Sequence, residues 1–418
     1  MIIKGTLAVP GDKSISHRAI MLGSLAKGKT RISHFLRGAD CLSTIGIFEK
    51  MGVSIHREGE RVEVEGLGLQ GLCPPEETLD CGNSGTTIRL LSGILAGQHF
   101  STSLSGDASI QKRPMDRVIT PLRLMGAEIQ GTRGSFAPLS ITGAPLKGIH
   151  YASPVASAQV KSALLFAGLY AQGDTAVTEP YLSRNHSEIM LKSFGASVMQ
   201  EGTTTTLSPV SELFARDIFV PGDISSAAFF IAAALLLPGS ELILKNVGTN
   251  PTRRGMLTVL GQMGANIETL HCTKEGEEYS DLLIRSAPLH GVTIQGGIIP
   301  SLIDELPILA GIAALAQGTT VIRDAAELKV KESNRIRVMC EELTKLGVKT
   351  AETPDGMIIE GKRDLKGNVT IQTHGDHRIA MTFAVLNLVS QGEIRLDNRE
   401  CVNISYPGFF EDVKSLLR

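Results

Sequence analysis

Gly82-Asn83-Ser84-Gly85-Thr86-Thr87-Ile88-Arg89 follows Glu77-Thr78-Leu79-Asp80-Cys81 and precedes Leu90-Leu91-Ser92-Gly93-Ile94-Leu95-Ala96. It reads as a short strand, a tight glycine turn and then a buried helix. Small polar residues at a helix start present backbone N–H groups to an anion, and Arg89, one turn in, adds a fixed positive charge. The plainer alternative is helix capping by Ser84 or Thr86. Repetition raises the anion reading. Segments of the same style begin near His17, Thr86, Gln159, Ser225, Asp304 and His377, about 70 residues apart. Most run into a glycine turn, as in Leu25-Ala26-Lys27-Gly28, Tyr170-Ala171-Gln172-Gly173 and Leu315-Ala316-Gln317-Gly318, and glycine there reads as a helix stop.

A second junction recurs between these segments. It is a helix end, a glycine, a small residue and a strand: Met51-Gly52-Val53, Met125-Gly126-Ala127, Phe194-Gly195-Ala196, Met263-Gly264-Ala265 and Leu346-Gly347-Val348. Alternating hairpins follow, such as Glu58-Gly59-Glu60-Arg61-Val62. The unit is therefore strand, helix, strand, helix and two strands, and the class is α/β (α+β). Six units divide into two domains of three, with Pro10-Gly11-Asp12 and its echo Pro221-Gly222-Asp223 as crossings. The expected domains are residues 13–222, and residues 1–12 with 223–418. The chain ends inside the sixth unit, so the N-terminal strand is expected to supply that unit's missing strand and to join the domain holding the C-terminus. Paired crossings also lead us to expect hinge closure over a cleft.

Composition supports two cores. The chain has 418 residues, 42% hydrophobic and 20% charged, with no Trp. A formal net charge of -2 gives no general attraction to nucleic acid. The six Cys show neither pairing nor metal-ligand spacing, which fits a reducing compartment, and the N-terminus lacks the pattern of a targeting peptide. The most apolar run, Ala227 to Pro238, is too short to span a bilayer and reads as a buried helix. A cytoplasmic protein is the expectation.

Six polar motifs stand at unit starts or crossings. Lys13-Ser14-Ile15-Ser16-His17-Arg18 joins two cations to two hydroxyls; Arg offers a planar fork and Lys a mobile charge. In Arg113-Pro114-Met115-Asp116-Arg117, Pro114 is expected to start a helix, Arg117 to face the ligand, and Arg113 to do no more than pair structurally. Ser157-Ala158-Gln159 is a small-residue helix start suited to phosphate or sugar hydroxyls. In Pro300-Ser301-Leu302-Ile303-Asp304-Glu305, Asp304 is either a base or a helix cap. Lys331 and Arg335 are expected on one helical face with Glu332 slightly aside; a solvated ion-paired face is the alternative. Asp376-His377-Arg378 precedes an apolar helix, and no third ligand has the spacing for a metal. Lys13, Arg18, Arg89, Arg117, Arg335 and Arg378 in one cleft would hold anionic substrates around a few carboxylates. No GxxxxGK[ST] loop and no strand-linked GxGxxG occurs, so neither nucleotide energy nor hydride transfer is indicated.

These motifs resemble the bacterial 5-enolpyruvylshikimate-3-phosphate synthase family, from Lys13 to Phe410. The resemblance rests on Lys13-Ser14-Ile15-Ser16-His17-Arg18, Asn83-Ser84-Gly85-Thr86 with Arg89, Arg113-Pro114-Met115-Asp116-Arg117, Lys331-Glu332-Ser333-Asn334-Arg335 and Asp376-His377-Arg378. It implies the enolpyruvyl transferase fold, two globular domains each of three βαβαββ units around buried helices. It also implies transfer of the enolpyruvyl group of phosphoenolpyruvate to the 5-hydroxyl of shikimate 3-phosphate, by addition and elimination, on the way to chorismate. Lys13, Asp304, Glu332 and His377 are then the catalytic candidates, with Asp304 the base at the hydroxyl and Glu332 or Lys13 handling the carbon proton. Lys13, Arg89, Arg117, Arg335, His377 and Arg378 would hold phosphoenolpyruvate. Ser14, Arg18, Ser157, Gln159, Asp304 and Lys331 would hold shikimate 3-phosphate. Asn83, Gly85, Thr86, Ala158 and Arg184 complete the substrate-binding set. The resemblance implies no cofactor or metal, no nucleic acid or membrane partner, a monomer, and sensitivity to glyphosate through the unsubstituted Gly85.

Two positions depart from the family pattern. Cys401-Val402-Asn403-Ile404-Ser405-Tyr406-Pro407 lacks a Lys that some members carry there, and Arg184 stands where some have Tyr. The competing readings are the sister transferase acting on UDP-N-acetylglucosamine, an RNA 3'-phosphate cyclase-like protein, and a phospho-ligand binding protein of the same fold. The first is disfavoured because Ala108 stands where that enzyme has its catalytic Cys. The cyclase needs a nucleotidylated His and a more basic surface. A pure binder has no use for Asp304 and Glu332 among anion ligands.

Overall fold

The structure, a computed structural model, describes residues 1–418. Twelve α-helices alternate with short strands. They are α1 (Lys13–Leu25), α2 (Ala39–Lys50), α3 (Gly85–Ala96), α4 (Asp116–Leu124), α5 (Ala158–Gly168) and α6 (His186–Ser193). The series continues with α7 (Ile224–Leu236), α8 (Gly255–Gln262), α9 (Leu306–Ala313), α10 (Arg335–Lys345), α11 (His377–Asn387) and α12 (Phe409–Leu416). The chain forms two compact units, Gly11–Val220 and Met1–Pro10 with Pro221–Arg418.

The repeat is explicit in the sheets. In the second repeat, strand Leu79–Asp80 pairs parallel with Ser101–Ser105, α3 lying between them in the chain. Strands Glu128–Thr132 and Phe136–Thr142 then return antiparallel as a hairpin. Five sheets share this four-stranded order, and the sixth repeat keeps only Val369–Ile371 and Ile394–Leu396. One face of each sheet is buried; along Phe136–Thr142, Ala137, Leu139 and Ile141 point inward.

The first strands of two repeats are exchanged. Strand Lys4–Leu7, which precedes α1, pairs with Glu241–Leu244 of the fourth repeat. Strand Ile218–Phe219, which precedes α7, pairs with Ile32–Ser33 of the first. The N-terminal strand therefore completes the fourth repeat and not the sixth, a correction to the expectation above. The N-terminus does meet the end of the chain, where Ile2 and Arg418 exchange two backbone hydrogen bonds of 3.0 Å.

The first helix of each repeat is largely buried, and the almost wholly apolar α7 and α9 are buried nearly all round. Every residue of α9 is buried, as is every residue of α7 from Ile224 to Leu235 and of α1 from Ile15 to Leu25. Close approach in the Gly11–Val220 unit depends on Gly93: a Cβ there would lie 2.0 Å from the carbonyl oxygen of Ala163. The five recurring junction glycines, Gly52, Gly126, Gly195, Gly264 and Gly347, all have φ between 79° and 96°, the left-handed helix ending. Gly28, Gly173 and Gly318 are not helix stops. Their helices end earlier, at Leu25, Gly168 and Ala313, and these glycines turn the chain into or along the returning strand. No helix is long and apolar enough to cross a membrane.

Candidate active site

In the Gly11–Val220 unit the helix starts carry the polar groups. Helix α1 begins at Lys13, four residues before the expected His17, because the Asp12 carboxylate accepts the Ile15 N–H at 2.9 Å. Lys13 Nζ lies 2.9 Å from Asp40 Oδ2 at the start of α2. Ser14 is half-buried, and its carbonyl accepts Arg18 Nη1 at 2.9 Å. The Arg18 guanidinium also donates to Ser187 Oγ (2.7 Å) and Ser162 Oγ (2.8 Å). It is thus fixed from three helices.

At α3, Ser84 is the cap and accepts the Thr87 N–H at 3.1 Å, so capping and exposure of polar groups coexist. Arg89 donates to Gln159 Oε1, and the Gln159 amide donates to Thr86 Oγ1 at 3.1 Å. Gly85 sits against two guanidinium groups: a Cβ there would be 3.3 Å from Nη1 of both Arg89 and Arg113. Arg113 is further held by Asn83 Oδ1 (3.2 Å) and Ser109 Oγ (3.1 Å), and Asn83 donates to Asp107 at 2.7 Å. Pro114 does not start α4. The helix begins at Asp116 with Met115 as cap, which puts half-buried Arg117 in its first turn. Ala158 opens α5 and Ser157 caps it; the Ser157 N–H donates to Glu179 Oε1 at 2.9 Å. Arg184 is half-buried in the segment leading to α6.

Beneath these groups runs a chain of neutral hydrogen bonds. His17 Nδ1 meets Thr44 Oγ1 at 2.7 Å, Thr44 meets Thr87 Oγ1 at 2.8 Å, and Thr87 donates to Ser84 Oγ at 2.7 Å. His17 Nε2 is buried without a partner. Burial, with smaller help from Lys13 and Arg18 and against the pull of Asp40, lowers the His17 pKa from 6.5 to about 3.

In the other unit the candidates hold one another. Asp304 is not a helix cap; it lies in the turn between a 3₁₀ helix, Gly296–Ser301, and α9, whose cap position is Glu305. Its Oδ1 is 3.5 Å from Arg335 Nη1 and 3.6 Å from Lys331 Nζ. Its Oδ2 is 3.9 Å from Arg378 Nη2, and its carbonyl accepts Arg378 Nη1 at 3.1 Å. Arg335 also donates to Glu332, and its Nε donates to Asp376 Oδ2 at 2.8 Å. The Arg335 side chain is 1% exposed, so three carboxylates share one buried guanidinium. Asp376 caps α11 through the Arg378 N–H, and buried His377 is the first residue of that helix. Burial is the largest single influence and opposes the Asp376 carboxylate, yet the Arg335 charge and hydrogen bond together with His377 outweigh it and hold its pKa below the usual carboxylate value.

Lys331 and Arg335 do not share a helical face. Lys331 is extended, just past the 3₁₀ helix Ala326–Val330, and α10 begins only at Arg335, where Asn334 accepts the Arg337 N–H at 3.2 Å. The two cations reach Asp304 from a bend instead. The arrangement gathers a carboxylate pair, Asp304 and Glu332, under one guanidinium with further cations beside it. Such a set suits proton transfer next to anionic groups.

The family model for EPSP synthase (3-phosphoshikimate 1-carboxyvinyltransferase) matches residues 2–413. The chain belongs to the EPSP synthase family. It is 54% identical over 410 residues to the 3-phosphoshikimate 1-carboxyvinyltransferase of Thermoanaerobacter sp. (strain X514), covering 98% of this chain and 96% of that one. With the enzyme of the same name from Bacillus subtilis (strain 168) the identity is 52% over 418 residues, covering 100% and 98%. The solved structure of EPSP synthase from Acinetobacter baumannii superposes with a TM-score of 0.89 at 46% identity, covering 99% of this chain and 96% of that one. Full-length agreement in sequence and fold makes the chain an enzyme, an enolpyruvyl transferase of the EPSP synthase family.

Several further residues hold the candidates of each unit in place. Asp40 on Lys13 has no distinguishing local signal. Asp376 was visible only as part of a motif, not as the clamp on Arg335. Lys161 did carry a signal: a lysine inside Val160-Lys161-Ser162-Ala163-Leu164-Leu165 must be paired if that helix is buried.

Proposed function

We propose that the chain transfers the enolpyruvyl group of phosphoenolpyruvate to the 5-hydroxyl of shikimate 3-phosphate and releases inorganic phosphate. The observation that carries this reading is the gathering of Asp304, Glu332, Lys331 and Arg378 about Arg335. Asp304 takes the proton of the 5-hydroxyl as its oxygen bonds to C2 of phosphoenolpyruvate. Glu332 or Lys13 delivers a proton to C3, giving a tetrahedral phosphate-bearing intermediate. Loss of a methyl proton and of phosphate then restores the vinyl group. The balance needs no oxidant, nucleotide or metal.

Lys13, Arg89, Arg117, His377 and Arg378 bind the donor and the phosphate it leaves, since developing charge on that group is met by fixed cations. Arg335 joins them and also orients Asp304 and Glu332. Ser14, Arg18, Ser157, Gln159 and Lys331 bind the acceptor, with Ala158 and Arg184 beside them. Asn83, Gly85 and Thr86 shape the donor's surroundings. One chain carries every group named, so the monomer is the working unit, and the cytoplasm is its proposed location. Arg184 is here an acceptor ligand, and no lysine near Ser405 is invoked.

The test is phosphate release from phosphoenolpyruvate. It should require shikimate 3-phosphate and give no turnover with UDP-N-acetylglucosamine, consistent with Ala108. Release that ignores shikimate 3-phosphate would refute the assignment.

A further inference from the structure

Helix α5 of the Gly11–Val220 unit buries a lysine with two glutamates. Lys161 Nζ lies 2.8 Å from Glu179 Oε2 and 2.7 Å from Glu188 Oε1, with the three side chains 1%, 1% and 4% exposed. The third direction of the ammonium faces the Ser183 carbonyl at 3.5 Å. Burial alone would lower the lysine pKa, but the two carboxylates more than reverse this and it stays charged. A packed apolar trio could replace such a cluster at little cost in stability. The charges therefore call for another reason.

That reason lies in what Glu179 touches. Its Oε1 accepts the N–H of Ser157, the residue that caps α5. Its Oε2 accepts both the N–H (3.2 Å) and the hydroxyl (2.9 Å) of Ser183, the neighbour of Arg184. One carboxylate thus sets the spacing between two segments that present proposed acceptor ligands. The Lys161–Glu188 contact ties α5 to α6 beside Ser162 and Ser187, the two hydroxyls that grip Arg18. An apolar side chain cannot bridge two backbone segments in this way.

We propose that Glu179, held in place by Lys161, is a positioning residue for the phosphorylated acceptor. It acts through Ser157, Arg184 and Arg18 and does not touch the acceptor itself. The inference rests on the reading of these residues as ligands of shikimate 3-phosphate. Among the donor's proposed ligands, Lys13 is held by Asp40 of α2 and Arg378 by Asp304, while Arg89 meets α5 through the Gln159 side chain.

The experiment is steady-state kinetics of the full chain with Glu179→Gln. The amide keeps the shape but replaces an accepting oxygen with a donor. We expect KM for shikimate 3-phosphate to rise about tenfold or more, with KM for phosphoenolpyruvate within about twofold and kcat within about threefold. Should this variant fail to fold, Ser183→Ala removes one hydrogen bond and no charge, and the same KM should rise about threefold. Unchanged acceptor KM in a folded variant, or equal changes in both KM values and kcat, would overturn the positioning role. Wild-type turnover in the same assay separates the two questions. An inactive wild type sinks the substrate reading and this inference with it, whereas an active wild type with an indifferent Glu179→Gln sinks the inference alone.

Discussion

The two units hold their candidate residues by different means. In the unit containing the C-terminus, Asp304, Lys331, Glu332, Arg335, Asp376 and Arg378 form one cross-linked ionic network, and each is a partner of another. In the Gly11–Val220 unit, hydroxyls and amides orient Arg18, Arg89 and Arg113, and the buried ionic cluster sits behind them at Glu179. The difference separates two tasks. Proton transfer needs groups whose charges respond to one another, so self-contact is useful there. Holding anionic substrates needs cations at fixed positions, which a scaffold beneath them supplies.

The largest expected break in this comparison is Arg335→Met. It strands three carboxylates, and we expect a loss of about 3–5 kcal/mol in urea unfolding. Together with that, kcat/KM should fall by about 10²-fold or more. A variant within about 1 kcal/mol of wild type would show that the network does not hold itself.

Acid should then distinguish the units. His17 folds with its pKa lowered to about 3, whereas the unfolded chain takes up that proton near 6.5. The unfolded state therefore binds more protons in this window, and stability falls as pH falls through it. Asp376 carries the same sign in a lower window: its depressed pKa contributes stability that is fully present above its ordinary 3.8 and is lost as pH falls below that value. His17→Gln should flatten the dependence between pH 6.5 and 3, worth about 2 kcal/mol at pH 5, measured by chemical denaturation across pH. Parallel curves for both proteins would remove His17 as the cause.

Smaller effects sharpen the contrast. Lys331→Met and Arg378→Met both remove a cation from Asp304, so their combined effect on kcat should depart from additivity by about 1 kcal/mol. Strict additivity would mean that Asp304 does not link them. Gly85→Ala should have the least effect on stability. Its methyl would press on two guanidinium groups at 3.3 Å, each of which must give by a few tenths of an ångström. We expect KM for phosphoenolpyruvate to rise a few-fold, by roughly 1 kcal/mol or less, and inhibition by glyphosate to weaken. Unchanged kinetics and inhibition would move Gly85 away from the donor.

Much of this was readable before the fold was known, for identifiable reasons. Gly52, Gly126, Gly195, Gly264 and Gly347 were legible because a left-handed helix ending selects glycine. Apolar runs such as Ala227 to Pro238 could only be buried helices. Which repeat each first strand joins was not legible, because Leu7-Ala8-Val9 and Phe219-Val220 are equally able to pair with either sheet. The four-residue spacing of Lys331 and Arg335 suggests one helix, although Asn334 between them is a capping residue and marks the true start. Gly28 reads as a helix stop because a glycine in the next strand looks the same in sequence as one at the helix end. Distances such as those within the Arg335 network join residues far apart in the chain and have no local signature.

The claim on which the rest depends is that side-chain acids here protonate the donor's methylene carbon and later remove a proton from the resulting methyl group. It is tested most directly by running the reaction in D₂O and examining the enolpyruvyl product by NMR. Addition followed by elimination predicts deuterium in the product methylene. Full conversion to a product with an undeuterated methylene would contradict it.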